Sequence, residues 1–134
     1  MFLFQGRGCF FHFCDAVREN VGQHGLITLM SKSSSFASFV HTIFSLAHVP
    51  ESDVLEVFQH ILVKKYDDIM ACDDECITPL KKNIEKFMGY LTRTWIGTED
   101  KDGKYKPGLF KLANWNQFEA ACNALPRTNN SAEG

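Results

Sequence analysis

Nothing in this chain of 134 residues approaches the run of about twenty apolar residues that crosses a bilayer. The opening Met1-Phe2-Leu3-Phe4 is too short, and lacks the basic flank, for a secretory signal. A soluble intracellular protein with no membrane partner is expected. A basic excess is missing as well, since fourteen Lys and Arg face sixteen Asp and Glu for a net charge of −2. Binding to a phosphate backbone relies on a basic face, so these residues alone should hold DNA weakly. Cysteine is sparse and odd in number, five in irregular spacing, which argues for reduced thiols rather than a disulfide framework. The chain shows no internal repeat and no low-complexity tract.

What is present suits one modest domain: 45% hydrophobic residues, twelve of the 134 being Phe, are enough to fill a core. Residues 2–9 (FLFQGRGC), apolar and broken by Gly6 and Gly8, read as a short strand leading into a helix. From Phe10 to His24 the set Phe10, Phe13, Val17 and Val21 falls on one helical face, and Gly22 and Gly25 mark its end. Beyond a polar hinge at Ser31 to Ser35, the residues Phe36, Phe39, Val40, Ile43, Phe44 and Ala47 form a wide apolar stripe. Pro50 opens the next helix, with Glu51 and Asp53 favourably placed in its first turn and a stripe of Val54, Val57, Phe58, Ile61 and Leu62. Residues 67–77 read as a frayed helix end plus loop, or as a further turn of that helix before the loop. Thr78 before Pro79 signals a capped start, followed by Leu80, Ile84, Phe87, Met88, Leu91 and Trp95 at helical spacing. Residues 97–108 (GTEDKDGKYKPG) read as structureless, an exposed loop or turn, and Asn114 with Gln117 as the cap of a helix carrying Trp115, Phe118, Cys122 and Leu125. Helices with short connectors bury their stripes against each other, so the fold class is mainly α, a helical bundle with a short N-terminal strand.

Several residues admit a chemical and a structural reading side by side. Asn130 followed three residues later by Glu133 has the spacing of a capping box, and Glu133 is equally a candidate catalytic carboxylate. Cys9 and His12 read as a buried thiol and a satisfied histidine, or, with Cys72 and Cys76, as four soft ligands for a structural zinc. The acids between Cys72 and Cys76 favour a solvated loop instead. Arg127, beside Asn129 and Asn130, suits a DNA phosphate or a neighbouring acid. His41, His48 and His60 read as helix-surface or boundary residues, and Trp95, Trp115 and the Phe set as core rather than base-stacking platforms.

Three segments in order, Gly8-Cys9-Phe10-Phe11-His12-Phe13 (GCFFHF), AHVPESDVLEVF and LPRTNNSAEG at Leu125 to Gly134, resemble the later part of the catalytic domain of Mutator-like DDE transposases. That resemblance implies an incomplete fragment of a ribonuclease H-like α/β fold. Residues 1–25 would be a strand and helix of its core, 33–112 a helical insertion, and 113–134 the return to the core with the glutamate motif. It makes Glu133 the third carboxylate of an acidic triad, and Cys9, His12, Arg127, Asn129 and Asn130 motif residues near the site. It also implies DNA cleavage and strand transfer at transposon ends, with Mg2+ or Mn2+, in the nucleus. Both partner aspartates of the triad would precede Met1, so the 134 residues alone are expected to be inert and to bind no metal by themselves. The competing expectation is a domesticated helical module that binds protein or DNA without catalysis.

Overall fold

A computed structural model describes residues 5–120 and residue 122, with side chains from Phe10 onward. The chain is mainly helical. Helix α1 spans Gln5–Gln23, α2 Ile27–Lys32 and α3 Ser34–Ser45. After two short 3₁₀ turns, helix runs from Val54 to Ala71 as α4 (Val54–Val57), a π-widened stretch (Phe58–Leu62) and α5 (Val63–Ala71). Helix α6 (Lys81–Leu91) ends in a second π-widened stretch, Thr92–Ile96. A two-stranded hairpin follows, β1 (Thr98–Glu99) pairing antiparallel with β2 (Tyr105–Lys106). The helical turn α7 (Leu112–Trp115) comes last, and helical backbone resumes over residues 118–120.

The apolar stripes read from the sequence converge in a single core. Phe13, Val17 and Val21 of α1 meet Phe36, Phe39, Val40 and Ile43 of α3 and Ile84, Phe87 and Leu91 of α6. Val54, Phe58 and Leu62 are buried, whereas Ile61 is exposed, so the stripe of that helix is narrower than the one expected.

Four local expectations give way to the structure. Residues 5–9 are the first turns of α1, not a strand. A strand there has no neighbour among the described residues, and its N–H and C=O groups would go unpaired, whereas a helix satisfies them internally. Residues 2–4 lie outside the described residues. The 97–108 segment is likewise not structureless. Gly97, at φ 91°, supplies the backbone conformation that turns α6 into the hairpin, and a Cβ there would collide with the Lys106 carbonyl oxygen.

Thr78 does not cap α6: its hydroxyl donates back to the Asp74 carbonyl at 2.9 Å, while Pro79 sits in the 3₁₀ turn Thr78–Leu80 that leads into α6. Nor is Asn114 a cap, since it lies inside α7. Asn116 takes that role two residues on, its Oδ1 accepting from the Phe118 N–H at 3.0 Å while its Nδ2 donates to the Val49 carbonyl at 2.7 Å. One amide thus starts the next helix and ties it to the end of the α3 region. Ser33 is the side-chain cap of α3, accepting from the Phe36 N–H at 3.1 Å. Its burial, unusual for serine, follows from that bond.

The Asn116 amide generates a stability prediction. Asn116→Ala removes a cap and leaves the Val49 carbonyl without its side-chain donor, which should cost about 2 kcal/mol. Urea unfolding of the two proteins measures it, and a difference under about 0.5 kcal/mol would mean that water replaces the amide without loss. Gly97→Ala should destabilise by a similar or larger amount, about 2–3 kcal/mol, from backbone strain and the clash with Lys106.

Candidate functional site

The GCFFHF motif occupies the early turns of α1, and helical geometry splits its side chains between two environments. Phe13 points inward and is fully buried, while Phe11 and His12 face outward. The Phe13 ring stacks on Trp115 (4.3 Å between centroids, 15°) and meets Trp95 edge-on at 5.1 Å. Trp95 in turn stacks on Phe110 at 4.6 Å. His12 lies edge-on to both rings of that second pair, 5.6 Å from Trp95 and 5.4 Å from Phe110.

Backbone chemistry explains why Phe110 can reach Trp95. The π-widened end of α6 spends the Thr92 carbonyl on the Gly97 N–H at 2.8 Å, and the next two carbonyls, Arg93 and Thr94, accept from the Leu109 and Phe110 N–H groups at 2.9 Å each. Gly108 permits that approach, since a Cβ there would lie 2.9 Å from the Thr94 carbonyl. The indole of Trp95 donates to the Tyr90 hydroxyl at 2.8 Å, and that of Trp115 to the Trp95 carbonyl at 3.3 Å. Both buried indoles are therefore satisfied. His12 is an exposed imidazole seated against a rigid aromatic wall. Neither ring nitrogen bonds to another described residue.

Of the other residues expected at the site, Cys9 lies in α1 with its side chain outside the described residues, and Arg127, Asn129, Asn130 and Glu133 fall outside them entirely. Cys72 and Cys76 are half-buried in the turn between α5 and α6, where Lys81 donates to the Cys72 carbonyl at 2.7 Å and Asp74 accepts from the Cys76 N–H at 2.7 Å. His12, Cys72 and Cys76 are not brought together. Among the described residues no three His, Cys, Asp or Glu side chains converge as metal ligands. A hard divalent cation needs several oxygen ligands at once, so the described residues do not make a magnesium or manganese site. His41, His48 and His60 lie on the surface, as expected.

A polar cleft of about 610 Å³ is lined by Ser34, Ser35, Ser38, Lys65, Asp68 and Cys72, among others. Its cation is engaged by the protein itself, since Lys65 Nζ donates to Ser38 Oγ at 3.1 Å. An apolar groove between α1, α2 and α3 escaped the sequence reading, because α2 was not expected and two of the groove's residues, Ile27 and Met30, belong to it. The signal lay in Leu26, Ile27, Leu29 and Met30, a short apolar cluster just after Gly25. No described helix is long and apolar enough to cross a membrane.

No protein-family model, curated protein or solved structure matches this chain.

Titration supplies a test of the packing around the site. Burial pushes the Cys14 thiol and the phenols of Tyr66, Tyr90 and Tyr105 above their ordinary values. The folded state therefore holds these protons more tightly than the unfolded chain does. The associated stability is complete below the ordinary thiol value of about 8.5 and is lost as pH rises through the thiol range and then the phenol range near 10. Denaturation midpoints should fall between pH 8 and 11, and Cys14→Ser should remove the earliest part of the fall. A flat profile would show these groups to be as solvated folded as unfolded.

Proposed function

We propose that this chain is part of a Mutator-like DDE transposase, comprising the helical insertion and the flanking pieces of a ribonuclease H-like core. Glu133 would be the third acidic residue of the catalytic centre. The main support is the order of three sequence motifs in one short chain. One geometric observation adds to it. Phe13, the last residue of GCFFHF, stacks on Trp115, ten residues before the LPRTNNSAEG motif begins at Leu125. Trp115, upstream of that motif, thus lies beside the helix that carries GCFFHF, which supports a shared site.

In this reading the helices between them form a rigid spacer whose ends are held together by the aromatic stack. His12 stands at the outer edge of that stack, where it can contact DNA or a reacting group supplied by the rest of the core. Arg127, Asn129 and Asn130 would approach the phosphates, which suits an arginine fork and amide donors. The near-neutral charge of the chain leaves most of the DNA affinity to other parts of the enzyme. A nuclear location follows from that activity. A helical interaction module without catalysis is the competing reading, favoured by the exposed Phe11 and by the apolar groove.

The two readings separate in one experiment. A protein extended upstream to include both aspartates, and beyond Gly134, should nick transposon-end DNA with magnesium or manganese. Glu133→Gln should abolish the nicking while leaving the circular dichroism spectrum unchanged. Cleavage at the original rate by that variant removes Glu133 from the centre, and an upstream sequence without acidic residues removes the transposase reading altogether.

A further inference from the structure

We propose that the groove between α1, α2 and α3 is a binding site for a small amphiphilic anion, an aliphatic or aromatic group carrying one acidic head. The groove encloses about 310 Å³, the lower end of the range of roughly 300–1,000 Å³ that small-molecule sites occupy. Val21 and Val40, each only 2% exposed, form its floor, and Met30 and Phe44 its half-buried sides.

Ile27 gives the reason to expect an apolar occupant. The six-residue α2 turns Leu29 into the core and leaves Ile27, 59% exposed, at the mouth of the groove. A large apolar side chain held open beside an apolar floor gains roughly 25 cal/mol for every Å² that a ligand covers.

Arg18 gives the reason to expect an acidic head. Its guanidinium lies 5.1 Å from the centre of the Phe44 ring, parked by a cation–π contact at the edge of the groove. Among the described residues it carries the groove's fixed charge, for none of the lining ones is a carboxylate, and His41 is the other polar group there. Asp15 accepts from one Arg18 Nη at 3.3 Å outside the lining, and both side chains are well exposed. Such pairs are weak and readily exchanged, and the rest of the planar fork stays open to an incoming carboxylate. Neither a cation nor a neutral head group would use the fork's remaining donors as a carboxylate does.

Decanoate and decanol, titrated into the full chain with binding read from chemical shifts, form the test, since they differ only in the head group. Decanoate should saturate a single site with shifts centred on Val21, Ile27, Met30 and Phe44, and should bind more tightly than decanol. Ile27→Glu, a change at an exposed position, should abolish decanoate binding with an unaltered circular dichroism spectrum. Arg18→Gln should weaken decanoate about fivefold and leave decanol as it was. Shifts that fail to saturate, equal affinity for the two probes, or decanoate binding unaffected by both variants would each overturn the proposal.

Discussion

The contact on which the rest of the molecule depends is the face-to-face packing of Phe13 on Trp115, with Trp95 set edge-on against it. These three rings come from α1, α7 and the end of α6, elements separated along the chain by some eighty and twenty residues. Each ring is at most 1% exposed, and burying a side chain of this size, roughly 200 Å², is worth on the order of 5 kcal/mol before entropy is charged against it. Without this cluster α1 would keep its contacts to α3 and α6 but lose its hold on the segment that follows the hairpin.

The cluster also sets the geometry around His12. Trp95 can stack on Phe110 only because the π-widened turn presents the Arg93 and Thr94 carbonyls to the 109–110 backbone, and because Gly108 lets that backbone approach. Three levels act together here: a glycine in the sequence, an irregular helix end, and an aromatic pair. The imidazole then rests on the outside of an aromatic cluster whose two indole N–H groups are both hydrogen-bonded. A side chain held this way keeps its orientation while staying open to solvent.

Much of the helical framework was legible in the spacing of apolar residues. The stripes through Phe13, Val17 and Val21, through Phe36, Phe39, Val40 and Ile43, and through Ile84, Phe87, Leu91 and Trp95 are buried as their periods require. What could not be read depended on distant partners. The choice between Asn114 and Asn116 as a cap is invisible locally, because it is settled by the Val49 carbonyl more than sixty residues away. The hairpin at 98–106 is short and polar, and it rests on a tyrosine hydroxyl reaching the Ile96 carbonyl at 2.7 Å rather than on alternating hydrophobicity. Ile61 sits at helical spacing yet faces solvent, since the π-widened turn rotates it off the core side. As for the site, the sequence singled out His12 but not the aromatic wall behind it, which is assembled from α6 and the segment after the hairpin.

The start of α1 shows how far local preference can be overridden by what a segment has to pair with. Residues 5–9 carry two glycines, which weaken a helix by roughly 1 kcal/mol each relative to alanine, and the aromatic residues around them favour strands. They nonetheless continue α1. A lone strand would forfeit hydrogen bonds at every residue, whereas a helix growing back from Phe10 gains one bond for each residue it adds, with the costly nucleus already formed. The balance is set by the available neighbours. Phe13, stacked on Trp115 and set edge-on against Trp95, holds the following turns of α1 in place.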